Sequence, residues 1–127
     1  MQRFEALKVW QKAHQLVLDT YQVTARFPRE EQYGLVAQMR RAAVSIPANI
    51  VEGHKRASKR EFANFMSIAV GSLEELKYYV HLSADLHYLP EEIAKPVFDL
   101  AEEVGRMLHG FRQHVRKELA DGNTHVR

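Results

Sequence analysis

Cationic side chains are concentrated in one stretch of the sequence, residues 40–60, where six Lys or Arg stand against one acid, Glu52. Side chains of this type bind phosphate groups, and each phosphate contact releases counterions from a nucleic acid. No familiar nucleic-acid-binding motif accompanies them, so we expect contacts to the backbone of RNA or DNA without base readout. The candidate nucleic-acid-binding residues are Arg40, Lys55, Arg56, Lys59 and Arg60.

The same cations have a second interpretation, as solvated turn residues and ion-pair partners of acids elsewhere. Residues 1–60 hold 11 Lys or Arg against 5 Asp or Glu, whereas residues 61–127 hold 7 against 11. Such asymmetry fits binding to an anionic polymer, and it equally fits complementary packing between subunits. Composition does not separate these two interpretations.

The sequence offers little for catalysis or metal binding. The absence of cysteine excludes disulfides, thiolate metal sites and cysteine nucleophiles. Neither the Glu-x-x-His pairs of di-metal bundles nor a nucleophile elbow, P-loop or dinucleotide motif is present. His14 is the one histidine on a predicted apolar seam, and we interpret it as a core histidine bonded to a neighbouring helix. We therefore predict no catalytic, cofactor or metal site and no enzymatic activity.

Residues 35–53 predict the helix around which the chain is organised, because apolar or small residues recur there at spacings of 4, 3, 4, 3 and 4. This apolar seam consists of Leu35, Met39, Ala42, Ile46, Asn49 and Gly53. Beside it runs a ladder of polar groups able to bond a neighbouring helix, formed by Gln38, Arg41, Ser45, Asn49 and Glu52. We expect Arg41 to pair with an acid such as Glu52, or with one on another chain.

Pro47 is an unfavourable residue in the interior of this helix. It lacks an amide donor and frees the carbonyl of Ala43, so we expect a kink there. Ser45 and Asn49 flank the proline and are expected to satisfy the released groups. Gly53 is expected to end the helix in a left-handed conformation.

Three further helices are predicted around this one. The first spans residues 4–26 and ends before Pro28, with a seam of Leu7, Trp10, His14, Val17 and Tyr21. The third starts at Ser58, which forms a capping box with Glu61. The fourth starts at Leu89-Pro90, with the proline at its first position. Its seam is Ile93, Val97, Leu100, Val104, Met107, Phe111 and Val115.

These elements predict an all-α fold, an antiparallel up-down four-helix bundle formed by residues 1–120 with a flexible tail at 121–127. The third helix carries its main seam on Phe62, Phe65, Met66, Ala69, Leu73, Leu76 and Val80. A second apolar stripe, nearly opposite, consists of Ile68, Tyr79, Leu82 and Leu86. Because one bundle core covers only one of these faces, the second stripe predicts a homo-oligomer interface.

Three segments carry a resemblance to a known family: FEALKVWQKAHQL at 4–16, QMRRAAVSIPANIVEG at 38–53 and FANFMSIAVGSLEEL at 62–76. They resemble four-helix-bundle proteins encoded in intervening sequences of bacterial 23S rRNA genes, over roughly residues 4–117. The resemblance implies an up-down bundle, homopentameric rings and no known catalytic activity. The proteins that the chain resembles also include accessory proteins of diversity-generating retroelements, which bind nucleic acid and assist a reverse transcriptase. In such a ring, copies of the basic turn would form a repeated basic rim.

No apolar run approaches the length of about 20 residues that a membrane span needs, and the first residues lack the apolar segment of a signal peptide. We expect a cytoplasmic protein without a membrane partner. The partners expected are further copies of the chain and rRNA or other structured nucleic acid. The alternative is a protein-interaction or structural scaffold with no nucleic-acid role.

Overall fold

The computed structural model describes residues 7–56 and 58–121. Its four α-helices are α1 (Lys8–Thr24), α2 (Ala37–His54), α3 (Lys59–Asp85) and α4 (Glu91–Ala120). A 3-10 turn (Arg29–Glu31) and a π-helical turn (Gln32–Val36) lead into α2. No strand occurs in the described residues. The predicted start of the first helix at residue 4 and the tail beyond residue 121 lie outside the described residues.

Short connections reverse the chain direction between consecutive helices, so the bundle runs up and down. α2 packs against α3, α3 against α4, and α1 against both α2 and α4. This arrangement encloses one continuous hydrophobic core. The prediction of an all-α four-helix bundle is confirmed. The predicted seams of α2 and α3 also face the core, with fully buried Met39, Ala42, Ile46, Ala69, Leu73 and Leu76.

The predicted seam of α1 is wrong in part, because Leu7, Trp10 and Val17 are half-buried and pack against the core, whereas His14 and Tyr21 are exposed. The buried residues of α1 are Val9, Ala13, Leu16, Thr20 and Thr24. The two threonines tolerate burial because each hydroxyl donates to the carbonyl four residues earlier, both at 2.7 Å. His14 is exposed and stacks on Trp10, with ring centroids 4.9 Å apart. The interpretation of His14 as a core histidine is therefore also wrong.

The core stripe of α4 differs in part from its predicted seam. Val97, Val104 and Val115 are buried as expected, but Phe111 is 37 % exposed. The remaining buried positions are Ala94, Ala101 and Leu108. Pro90 is the N-cap of this helix and not, as predicted, its first residue, because the helix begins at Glu91.

Two expectations about α2 need correction. The helix continues through Pro47, and Asn49 Nδ2 donates to the Ser45 carbonyl at 2.7 Å, so neither flanking side chain bonds the Ala43 carbonyl. Gly53 does not end the helix in a left-handed conformation, because α2 runs on to His54 and is capped by a right-handed residue. Glycine is needed at position 53 for close packing, since a Cβ there would lie 2.9 Å from Met66 Cε and 3.0 Å from Phe65 Cβ.

The ends of α3 have defined caps. Ser58 Oγ accepts a hydrogen bond from the Glu61 amide at 3.0 Å, which confirms the predicted N-cap. After α3, His87 adopts a left-handed conformation with φ 66°. The next amide, that of Tyr88, donates to the Ser83 carbonyl at 2.9 Å, and this bond closes the C-terminal end of the helix.

Candidate nucleic-acid interface

The up-down topology gathers positive charge at one end of the bundle. The start of α1, the turn between α2 and α3 and the last turns of α4 all lie there. We call the described residues of 7–14, 50–64 and 103–121 the basic end, since they hold ten Lys or Arg against five Asp or Glu. The opposite acidic end, residues 17–36 and 80–99, holds three against seven. Charge is therefore separated along the bundle axis, and not only between the two halves of the sequence.

The turn between α2 and α3 carries four cations, Lys55, Arg56, Lys59 and Arg60, against two acids, Glu52 and Glu61. Glu52 accepts from the Arg56 guanidinium at 3.0 Å and lies 3.9 Å from Lys55 Nζ. Arg56 also packs over the Phe65 ring, 5.0 Å from its centroid. Arg60 is exposed and forms no ion pair with any residue in the described ranges. The turn thus keeps net positive charge at its surface.

Two of the five predicted nucleic-acid ligands are used inside the subunit. Arg40 Nε donates to Thr24 Oγ1 at 2.9 Å, and its Nη2 donates to the Tyr21 carbonyl at 3.2 Å. The same guanidinium lies 4.4 Å from the centroid of the Tyr21 ring, so Arg40 joins α2 to α1. Lys59 pairs with Glu118 at 3.1 Å, and its side chain is only 20 % exposed. Lys55, Arg56 and Arg60 remain at the surface.

The C-terminal half of α4 supplies cations that the sequence argument missed. Arg106, Arg116 and Lys117 are exposed there and have no ion-pair partner in the part of the chain that the structure describes. They are some fifty residues from the turn in sequence. Antiparallel packing brings the helix end beside the turn, as the contact between Phe62 and Phe111 shows, with centroids 6.3 Å apart. In the sequence, these cations were indicated only by the basic run RKE near the end of a long amphipathic helix.

The polar ladder of α2 is directed to α3 of the same chain. Arg41 Nη2 donates to Gln38 Oε1 at 2.7 Å and to Glu75 Oε2 at 3.0 Å. The Ser45 and Ser72 hydroxyls are hydrogen-bonded at 2.7 Å. The expected pairing of Arg41 with Glu52 or with another chain is wrong, because the carboxylate of Glu75 on the neighbouring helix is within reach.

Glu75 has a second donor in this cluster, the Tyr79 hydroxyl, at 2.8 Å. The pKa of the Tyr79 phenol is raised, chiefly because this hydrogen bond to Glu75 favours the protonated form and also because the phenol is partly desolvated. The ladder therefore reads as a connection between α2 and α3.

Part of the excess positive charge of residues 1–60 is neutralised by acids of residues 61–127 within one subunit. Lys12 of α1 pairs with Glu103 of α4 at 3.3 Å, and Arg41 and Lys59 also pair with acids of the second half. A fourth pair between helices joins Lys77 and Glu102. The hydrogen bond to Glu102 raises the pKa of Lys77 despite partial desolvation. Complementary packing therefore operates between helices of one chain.

The second stripe of α3 is exposed only at its two ends. Ile68 is 51 % and Leu86 42 % exposed, whereas Tyr79 and Leu82 are half-buried. A further apolar surface, missed because the seam of α1 was misassigned, is a groove of about 330 Å³ between α1 and α2. Its lining includes Trp10, His14, Val17, Val44, Pro47, Ala48 and Val51.

Residues 5–110 match the model of a family described as 23S rRNA-intervening sequence protein. The chain belongs to this family. In fold it is similar to a protein of unknown function from the S23 ribosomal protein family of Bacteroides thetaiotaomicron, with a TM-score of 0.75 and 21 % sequence identity over 82 % of this chain and 97 % of that one. No functionally curated protein is detectably similar in sequence.

Within residues 7–56 and 58–121, no three His, Asp or Glu side chains are grouped so that they could hold a metal ion. No helix in these ranges is long and apolar enough to cross a membrane.

Proposed function

We propose that this family member is a non-enzymatic, cytoplasmic homo-oligomer that binds structured RNA, or another nucleic acid, through its basic end. The observation that carries the proposal is the meeting of surface cations from two elements, the α2–α3 turn and the end of α4. An unpaired surface cation is free to replace a counterion at a phosphate, and each such contact adds to a salt-dependent affinity.

The proposed contacts come from a smaller and partly different set of residues than the turn alone predicts. Arg40 is excluded because it lies outside the basic end and is bonded to Thr24, and Lys59 because its side chain is only 20 % exposed and pairs with Glu118. The proposed phosphate-contacting residues are Lys55, Arg56, Arg60, Arg106, Arg116 and Lys117. Since all are long side chains on helix or turn surfaces, they suit the backbone of a nucleic acid rather than the edges of its bases.

Self-association would place several copies of the basic end in one assembly. A homopentamer, which the family resemblance implies, would present five basic ends to one RNA, and linked sites gain avidity without new contacts. The exposed ends of the α3 stripe, Ile68 and Leu86, support a surface that a second copy covers. The half-buried Tyr79 and Leu82 would lie between them.

The test compares two double variants with the same change in net charge. Arg60→Glu with Lys117→Glu reverses two cations of the basic end, and Arg26→Glu with Arg29→Glu reverses two at the acidic end. We expect the first variant to lose most of its affinity for a fluorescein-labelled rRNA hairpin, measured by anisotropy at low salt, and the second to lose much less. Wild-type binding should weaken steeply as salt rises.

Two results would contradict the proposal: equal losses in both variants, or no binding of RNA and DNA by the wild-type protein at low salt. Sedimentation of both variants serves as the control, because the oligomer should stay unchanged when only the basic end is altered.

A second candidate function is a protein-interaction scaffold, favoured by the apolar groove between α1 and α2. In that case a stoichiometric protein partner should co-purify with the chain and remain bound after nuclease treatment. Val44→Glu, which places a charge at the rim of the groove, should release that partner without changing RNA binding.

A further inference from the structure

A small cavity lies where the end of α1 meets the entry to α2, at the acidic end of the bundle. Its volume is about 180 Å³, below the roughly 300–1,000 Å³ of sites for drug-sized ligands, so it fits a single small group. Its lining includes Thr24, Arg29, Gln32 and Arg40, and none of the described residues that line it is acidic. The charged groups of the cavity are therefore two guanidinium groups.

Arg40 is half-buried and has no carboxylate partner within residues 7–56 and 58–121. Its Nε donates to the Thr24 hydroxyl at 2.9 Å and its Nη2 to the Tyr21 carbonyl at 3.2 Å, and both acceptors are neutral. These bonds use two of the five N–H donors of a guanidinium and leave three. Because a partly desolvated cation is normally paired, the remaining donors point to an anion.

The remaining donors of Arg40 are accessible. Its Nη1 has no hydrogen-bond partner among the described residues, where the one fully buried side-chain nitrogen or oxygen without a partner is Arg112 Nε. Arg29 and Gln32 are exposed, and their side chains form no hydrogen bond or ion pair with described residues. Donors from three side chains can therefore meet one ligand in the cavity.

The nearest acids in sequence do not neutralise this cavity from within. Glu30 and Glu31 follow Arg29 in the 3-10 turn, but neither lines the cavity. Glu31 already accepts a hydrogen bond from the Tyr88 hydroxyl at 2.9 Å. Both acids contribute to the negative field of this end of the bundle, which repels a long polyanion more than a single small ion.

We propose that this cavity binds a small oxyanion of the phosphate type, held by the free donors of Arg40 and by the side chains of Arg29 and Gln32. The bonds to Thr24 and Tyr21 fix the Arg40 guanidinium, so the anion meets donors that are already oriented. Guanidinium groups from two elements suit the tetrahedral oxygens of a phosphate better than the plane of a carboxylate. The site is independent of the RNA binding proposed for the basic end.

The experiment compares Arg29→Gln with Arg26→Gln, which remove the same charge from the same end of the bundle. Arg26 is exposed like Arg29 but does not line the cavity. We expect the wild-type protein to bind one inorganic phosphate per chain in titration calorimetry at low ionic strength. Arg29→Gln should weaken this binding about tenfold, whereas Arg26→Gln should stay within about twofold of wild type.

Arg40 is tested in the wild-type protein, because it also joins α2 to α1 and its replacement would disturb the fold. Its guanidinium Nε–H signal should shift when phosphate is added. The corresponding signal of Arg41, whose guanidinium is bonded to Gln38 and Glu75, should not shift.

Three ligands define the chemistry of the site. Acetate should bind more weakly than inorganic phosphate. Glycerol 3-phosphate separates the two sources of a phosphate group: tighter binding than inorganic phosphate indicates a phosphomonoester, the reverse order indicates the free ion, and either order supports the site. Equal weakening in the two variants, equal binding of acetate, an unmoved Arg40 signal or no saturable binding of phosphate by the wild-type protein would each overturn the inference.

Discussion

At the scale of single residues, three cations of α2 and α3 are bound by side chains of neighbouring helices. Arg40, Arg41 and Lys59 are held by Thr24, Glu75 and Glu118, and their charges are part of the fold. Sequence reasoning identified these side chains as chemically active but could not assign Thr24, Glu75 and Glu118 as their partners, since each lies at least sixteen residues away. Whether a cation is available to bind a ligand depends on the side chains of the helix that packs against it.

Gly53 gives a sharp test of packing at this scale. Gly53→Ala should lower the free energy of unfolding by about 1–3 kcal/mol, because the new Cβ would meet Met66 Cε and Phe65 Cβ at 3.0 Å or less. The matched control is Gly110→Ala, where nothing lies within 4 Å. That change should raise stability by about 0.5–1 kcal/mol through helix propensity. Urea denaturation measures both, and similar effects of the two variants would contradict the close packing of Gly53.

At the scale of elements, the long periodic helices could be predicted from the sequence, as could the start of α3 at Ser58. The face that α1 turns inward could not. Its true core stripe contains alanine and two threonines, whereas the competing stripe contains Trp10 and Tyr21. Hydropathy favours the aromatic stripe, but the threonine hydroxyls are bonded to their own helix and bury well. Trp10 lies half-buried at the edge of the core, and Tyr21 is 44 % exposed. The left-handed His87 was likewise invisible, because no glycine marks it.

Glycine should stabilise the connection after α3, because glycine adopts a positive φ without strain. His87→Gly should raise stability by about 0.5–1 kcal/mol, since glycine removes the strain of a positive φ and loses part of the gain to unfolded-chain entropy. His81→Gly, a change of the same type inside α3, should instead destabilise by about 1 kcal/mol. Thermal unfolding that shows both changes lowering stability would contradict the role given to position 87.

The same connection makes stability sensitive to alkaline pH. Tyr88 donates its hydroxyl to Glu31 at 2.9 Å, and this bond to Glu31 raises the pKa of the phenol above its usual value near 10. The folded state then holds the proton after the unfolded state has lost it, so this contribution to stability is complete below pH 10 and lost as pH rises through the folded pKa.

Tyr88→Phe should therefore flatten the fall of unfolding free energy above pH 10, while lowering stability at neutral pH through loss of the bond to Glu31. Tyr33→Phe is the control, because Tyr33 is 91 % exposed and bonds no described residue. Guanidinium titrations at several pH values measure the slope, and an unchanged slope in Tyr88→Phe would be inconsistent with the Tyr88–Glu31 bond.

At the scale of the whole molecule, the bundle leaves apolar surface on two sides, the stripe of α3 and the groove between α1 and α2. Membership of the 23S rRNA-intervening sequence protein family fixes the scaffold and does not say which surface a second copy would cover. The sequence pointed to the α3 stripe alone, because the aromatic residues of α1 were assigned to the core.

Ile68→Glu should shift the protein to smaller species in analytical ultracentrifugation, since a charge in a covered apolar surface loses its hydration. Leu18→Glu introduces the same charge at a comparably exposed position of α1 and should leave the sedimentation coefficient unchanged. A wild-type protein that sediments as a monomer would contradict self-association altogether.

The separation of charge along the axis has a consequence for how the molecule approaches a polyanion. It gives the bundle an electric dipole moment, and the field of an RNA exerts a torque that turns the favourable pole forward before contact. The 30 residues of α4 extend over about 45 Å, whereas the Debye length at physiological ionic strength is about 8 Å. Once the molecule is aligned, the repelled pole lies several screening lengths away and opposes association hardly at all.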